Sequence, residues 1–220
     1  MRSFILGSLV LSTTASAQSV EGALPGVGGP TYRLGTAIWF DGDRIAAGSP
    51  NMVYQGPAGP LYLYERVAGT WVLEAGLLAA DTDQFDGFGT DVQIDGDRLV
   101  VGAPFAGQEG AAYVFDRDAT AWSETQKLLP GVTSALAEFG HAVALSGDTA
   151  FVSAWNFSTT AGELFTGTVF VFEFDGVTWA QTQQLFASDA SEYARFGRAL
   201  AFDGTTLVVG ANGSELGAPG

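Results

Sequence analysis

A single histidine, His141, and the absence of cysteine leave nucleophilic catalysis almost no material. A Ser-His-Asp or Cys-His arrangement needs a base beside the nucleophile and a third group to orient that base. His141 directly follows Phe139-Gly140, at a place where related stretches of the chain carry Thr36, Thr90 and Arg198. It therefore reads as a loop-edge residue. Carboxylates are numerous, but nothing in their spacing fixes a pair at the separation glycoside hydrolysis needs. The glycine fingerprints that cradle phosphates are absent. Asp81, Asp83 and Asp86, followed by Gly87, come nearest to a calcium loop. Calcium takes about six to eight oxygens, and no other part of the chain repeats that cluster, so it reads as a solvated acidic loop. No metal and no cofactor is expected. Recognition chemistry is better supplied. Tyr54 and Trp155 offer aromatic faces for a sugar or peptide, with Gln55, Gln108, Glu109 and Asn156 beside them as hydrogen-bonding groups.

These candidates sit on loops of a repeat. Leu34-Gly35 opens LGTAIWFDGDRIAAGSP, and Phe88-Gly89 opens FGTDVQIDGDRLVVGAP. Phe139-Gly140 opens FGHAVALSGDTAFVSA, and Phe196-Gly197 opens FGRALAFDGTTLVVGA. From the first Gly to the small residue closing each stretch (Gly48, Gly102, Ser153, Gly210) is 13 positions in all four. Asp-Gly or Ser-Gly between two apolar runs predicts a tight hairpin of strands A and B. An aromatic triplet follows as strand C: Tyr62-Leu63-Tyr64, Tyr113-Val114-Phe115 and Phe170-Val171-Phe172. Seven residues beyond each triplet, Trp71, Trp122 or Trp179 begins strand D. Strand A alternates, with Ile38 and Phe40, Val92 and Ile94, Val143 and Leu145, and Leu200 and Phe202 on one face. Strand B, as in Leu99-Val100-Val101, is apolar throughout, the pattern of a strand covered on both faces. A repeat near 50 residues made of four short strands predicts an all-β fold, a β-propeller of four-stranded blades. Three full blades and part of a fourth are expected, at 32–86, 87–137, 138–194 and 195–220.

Length varies in one connection only. From the Gly or Ser ending strand B to the aromatic of strand C the spacing is 14, 11 and 17 residues. In a propeller the B–C and D–A connections emerge on one face, which places the recognition candidates there. Loops of varied length on a rigid scaffold are where function concentrates.

The formal net charge of −15 disfavours nucleic acid, whose phosphates call for clustered Lys and Arg. Residues 1–17 read as a signal peptide, with Arg2, the apolar run Phe4–Leu11 and the small residues Ala15-Ser16-Ala17. That run is too short for a stable membrane span, so none is expected in the mature chain. Leu24-Pro25-Gly26-Val27 repeats Leu129-Pro130-Gly131-Val132, and each Leu precedes its Gly by 11 residues. Residues 18–31 are accordingly expected to supply a D strand that completes the last blade. The chain runs out where the fourth strand C should begin, as a fragment of a larger propeller would, leaving an open edge that invites self-association.

The sequence of Phe-Gly, apolar strand and Gly-Ala-Pro-like run (Gly102-Ala103-Pro104, Gly48-Ser49-Pro50, Gly210-Ala211) resembles the FG-GAP repeat of integrin α-chain propellers and of bacterial secreted proteins, over residues 32–220. The resemblance implies a propeller with a binding or adhesion role outside the cell. Integrin-type repeats often carry a calcium loop in the A–B hairpin. Here that hairpin is the short Asp41-Gly42-Asp43, Asp95-Gly96-Asp97, Ser146-Gly147-Asp148 or Asp203-Gly204, whose carboxylates read as turn formers, and the family's calcium sites are not carried over. The expectation is an exported, non-enzymatic binding scaffold (secreted, at the cell surface or periplasmic) whose partner is an extracellular protein or glycan. Two rivals stand beside it: the non-catalytic portion of a larger secreted enzyme, and a structural self-associating module.

Overall fold

The computed structural model describes residues 33–51, 58–132, 134, 136–159 and 164–213. Their regular elements are all strands. The first sheet holds β1 (Ile38–Asp41), β2 (Arg44–Gly48), β3 (Leu61–Val67) and β4 (Thr70–Leu77). The second holds β5 (Val92–Asp95), β6 (Arg98–Ala103), β7 (Ala111–Arg117) and β8 (Trp122–Leu128). The third holds β9 (Phe139–Ser146), β10 (Thr149–Ala154), β11 (Thr168–Phe174) and β12 (Trp179–Leu185). Each is an antiparallel meander in chain order, and β13 (Phe196–Phe202) with β14 (Leu207–Ala211) forms a two-stranded start of a fourth. These are the strands A to D of the repeat, three complete blades and part of another.

Each blade is held together by its own aromatic residues. Phe88 packs edge-to-face on Tyr113 and Phe115, and Phe139 does the same on Phe170 and Phe172. The Phe of Phe-Gly thus anchors strand A on the strand C triplet. In the first blade Leu34 takes that place beside Tyr62 and Tyr64. The pairing of strands C and D shifts register at Leu63/Tyr64, Val114/Phe115 and Val171/Phe172, a bulge at the same place in every complete blade. Glu74, Thr125 and Thr182 are the extra residues there.

Neighbouring blades bury one another's faces. Ala46, Leu61 and Leu63 of the first pack against Val92, Ile94, Leu99, Val101 and Trp122 of the second. Val100, Val114 and Leu128, on the opposite face of the second, meet Val143, Leu145, Val152 and Trp179 of the third. Leu99 and Val101 therefore serve one seam and Val100 the next, which is why strand B is apolar without alternation. Phe151, Val169 and Val171 meet Leu200, Phe202 and Val209 at the last seam. The first strands β1, β5, β9 and β13 lie one against the next. The register expected for Ile38 and Phe40 holds, but these two stay exposed (47% and 38%), because no described blade covers that face.

Two glycines set the spacing of the first seams. A Cβ on Gly48 would stand 2.0 Å from the carbonyl oxygen of Gly89, and one on Gly102 would stand 2.0 Å from that of Gly140. At the third seam the corresponding residue is Ser153, whose Oγ accepts a hydrogen bond from the Ala142 amide at 2.9 Å. This seam is built differently.

The hairpin carboxylates do more than form turns. Asp41 Oδ2 accepts the amide of Gly96 at 3.2 Å, while Arg44 Nη1 donates to the Gly96 carbonyl and to Asp97 at 2.8 and 3.2 Å. Asp95 accepts the Gly147 amide at 2.5 Å, while Arg98 Nη1 donates to the Gly147 carbonyl and to Asp148 at 3.3 and 2.9 Å. Each Asp-Gly-Asp-Arg hairpin thus grips the hairpin of the following blade. At the third seam Ser146 and Thr149 stand in place of the gripping Asp and Arg. There Asp203 turns its carboxylate inward, onto the amides of Thr205 and Thr206.

The expected signal peptide (1–17) and the expected closing D strand (18–31) lie outside the described residues. Among the described residues no helix is long and apolar enough to cross a membrane.

Candidate functional site

The face opposite the hairpins is shaped by one recurrent turn. The residue before each Phe-Gly or Leu-Gly pair is left-handed: Arg33, Gly87, Glu138 and Arg195 have φ of 56°, 70°, 56° and 55°. The amide three residues on donates back to its carbonyl, from Thr36, Thr90 and His141 at 3.1, 3.0 and 3.2 Å. In the first two blades the Thr hydroxyls make the same closure at 2.8 and 2.6 Å. In the last two the corresponding pairs are Glu138 with His141 and Arg195 with Arg198. A left-handed backbone costs a non-glycine residue about 1 kcal/mol, a cost Gly87 avoids and Glu138 and Arg195 do not. The third contributor is the last position of the Gly-Ala-Pro run, which is Pro50, Pro104 and then Trp155.

These replacements meet at one place. Glu138 Oε2 accepts the Trp155 indole N–H at 2.8 Å, and Glu138 Oε1 accepts the Asn156 amide at 2.7 Å. His141 Nδ1 lies 3.7 Å from Glu138 Oε2, and its Nε2 contacts Arg198 Nη1. The His141 ring is 4.9 Å from the Trp155 ring at a 38° tilt. The guanidinium carbons of Arg195 and Arg198 lie 4.9 and 4.7 Å from the Trp155 ring centroid, within cation–π range. Burial of Glu138 pushes its carboxyl toward protonation. The His141 ring, the Trp155 N–H and the Asn156 amide outweigh it and hold the group below the usual carboxylate range. Glu138 therefore stays ionised and fixes the indole edge.

The sequence candidates fall on both sides of the segment carrying Glu138. The Gln108 carbonyl accepts the Leu136 amide at 3.2 Å, and the Glu109 carbonyl accepts the Phe139 amide at 2.7 Å. On the far side the Asn156 amide donates to the Ala137 carbonyl at 3.2 Å. Arg195 is held in turn by its amide on the Phe165 carbonyl at 3.0 Å. B–C and D–A loops thus brace each other, and Gln108, Glu109, Trp155 and Asn156 share one face. Tyr54 and Gln55 lie outside the described residues.

The acidic candidates do not converge. Asp81 accepts Lys127 Nζ at 2.7 Å and the Tyr113 hydroxyl at 2.9 Å, and its carboxyl is held low chiefly by the Lys127 hydrogen bond. Asp86 accepts the backbone amide of Asp83 at 2.7 Å. Among the described residues no group of three or more His, Cys, Asp or Glu is placed to hold a metal ion.

A family model described as the FG-GAP repeat matches residues 71–115, 122–172 and 179–219, well over half of the chain. The chain belongs to the FG-GAP repeat family. The first two matched FG-GAP units run from the strand D tryptophan of one blade through strand C of the next, and the third begins at Trp179 and takes in both described strands of the fourth blade, so each spans a seam. No curated protein matches the chain.

Glu138, His141, Arg195 and Arg198 were not among the sequence candidates. Their signal lay in the alignment of the FG-GAP copies. Glu138, His141, Ser153 and Trp155 all depart from the pattern within the third copy, and Arg198 departs at the same turn of the fourth, where Arg195 repeats the Arg33 of the first.

Proposed function

We propose that this FG-GAP protein is an exported, non-enzymatic binding module. Its ligand face is formed by the D–A and B–C loops and centred on Trp155 at the seam of the third and fourth blades. One observation carries the reading: three of the third copy's departures, Glu138, His141 and Trp155, meet around a single indole that both Arg195 and Arg198 of the fourth copy also reach. Glu138 clamps the indole edge, while His141, Arg195 and Arg198 stand around the ring. The scaffold supports the reading, since loops braced on a rigid sheet keep side chains preorganised for a partner. The partner is an extracellular glycan or protein, and adhesion is the role such contact would serve. Export rests on the signal-like character of residues 1–17.

The test is a glycan-array and cell-surface pull-down screen with the wild-type chain and with Trp155→Ala. A ligand held by the wild type and lost by the variant, with the melting temperature little changed, supports the reading. Ligands retained in full by the variant would move the site elsewhere.

A further inference from the structure

We propose that the seam of the third and fourth blades binds a carboxylate-bearing small ligand, with Arg195 and Arg198 as its cationic receptors. This inference rests on the binding-face reading and adds the chemistry of the ligand.

The chain carries 9 Lys and Arg against 24 Asp and Glu. In so acidic a protein cations find carboxylates readily, and Arg44, Arg98, Arg117 and Lys127 all do so. Arg195 and Arg198 are brought to one indole, yet neither pairs with a carboxylate among the described residues. The acid on the same indole is already committed. Both Glu138 oxygens are taken by Trp155 and Asn156, with His141 also facing Oε2. Arg195 Nε is buried and has no acceptor among the described residues. An unsatisfied donor on a charged group is costly, and this guanidinium lacks, among the described residues, the carboxylate partner that Arg44, Arg98 and Arg117 have. Arg198 is exposed beside it and so open to a molecule arriving from solvent. Guanidinium groups suit carboxylates because their paired N–H donors match two oxygens at once.

The net charge of −15 sets an upper limit on the ligand. A polyanion would be repelled by the rest of the surface, whereas one carboxylate on an otherwise neutral molecule would not. Trp155 and Asn156 are placed to contact the neutral portion. A uronic-acid sugar and a simple dicarboxylic acid share this chemistry, and the experiment separates them.

The full chain is titrated calorimetrically with sodium D-glucuronate, D-glucose and succinate. The expected result is glucuronate binding at least tenfold tighter than glucose. That binding should weaken with added salt, and fall at least tenfold in Arg198→Gln and Arg195→Gln. Succinate binding as well as glucuronate would place recognition in the carboxylate alone. Glucuronate binding without succinate would make the ligand an acidic sugar. Arg198 is exposed, so Arg198→Gln should keep the wild-type melting temperature and decides the matter even if Arg195→Gln fails to fold. Equal affinity for glucuronate and glucose, or glucuronate binding untouched by Arg198→Gln, overturns the proposal. A neutral glycan captured by the wild type and lost with Trp155→Ala would leave the binding-face reading intact while removing the carboxylate from it.

Discussion

Arg98 of the second blade reaches Asp148 in the third, Nη1 to Oδ1 at 2.9 Å, while its Nε holds Asp116 of its own blade at 2.8 Å. The same guanidinium lies 4.3 Å from the Phe174 ring and 5.0 Å from the Trp179 ring. It joins two hairpins and caps two aromatic residues. Arg98→Met should keep much of the stem packing and lose the bridge, lowering stability by about 2 kcal/mol. The exposed Asp148 end contributes the smaller share of that loss. Urea denaturation at low and high salt measures this, and a salt-insensitive difference would assign the effect to the aromatic contacts.

The seam glycines separate two causes of glycine dependence. Gly102→Ala places a Cβ against a backbone carbonyl that has no room to retreat. It should cost more than about 3 kcal/mol or prevent folding. Gly96→Ala meets open space but keeps a φ of 62°, which costs only about 1 kcal/mol. Thermal melts of the two variants rank them, and a Gly102→Ala protein as stable as Gly96→Ala would disprove the close approach.

Trp122 and Trp179 occupy the same position of successive blades, yet only one has its indole N–H satisfied. Glu74, the bulge residue of the first blade, accepts the Trp122 N–H at 3.1 Å and Arg117 Nε at 2.7 Å. The corresponding bulge residue of the second blade is Thr125, and Trp179 Nε1 is buried with no partner among the described residues. Thr125→Glu should supply the missing acceptor beside Arg98 and stabilise the fold by about 1 kcal/mol. A raised melting temperature, together with a shifted Trp179 indole proton in the NMR spectrum, is the expected pair of readings.

Asp91 stands where the other copies have Ala37, Ala142 and Ala199. Burial pushes its carboxyl up to about 6, against hydrogen bonds from the Val143 and Val92 amides and the neighbouring His141. With the folded value above the unfolded one, the native state holds the extra proton between about pH 4 and 6. Stability from this group is therefore greatest below about pH 4 and is lost as pH rises to about 6. The wild-type minus Asp91→Ala stability difference should fall across that window by an amount on the order of 2–3 kcal/mol. A difference flat with pH would show that the carboxyl titrates normally.

Glu138 is the positioning group of the site. Glu138→Gln keeps a side chain of similar size but replaces one charged oxygen with an amide that cannot accept the Trp155 or Asn156 hydrogen. The loss should be about 1–2 kcal/mol in stability. Ligand affinity should fall at least as far as it does with Asn156→Ala. The Trp155 indole proton shift reports whether the ring edge is released, which a packing defect elsewhere would not alter.

The blades were legible in the chain because each is a local object. Alternation in strand A, the unbroken apolar run of strand B, the aromatic triplet and the tryptophan recur at fixed spacing, and each has a packing reason within its own blade or its neighbour's. The hairpin aspartates were read only as turn formers, since a turn is visible over four residues while Asp95 and Gly147 are 52 apart. The site was half visible. Trp155 and Asn156 stand out as a tryptophan and an amide in a loop of varied length. Glu138 looks unremarkable in the sequence and meets the indole through the pairing of β9 with β10 in its own blade, while Arg195 reaches that indole only when the fourth blade stacks on the third. What the sequence determined by itself was the unit, because its core is formed by residues close in the chain. What the tertiary structure decided was which side chains meet across a seam, because those contacts join residues roughly one repeat apart. The local pattern places no constraint on their identity.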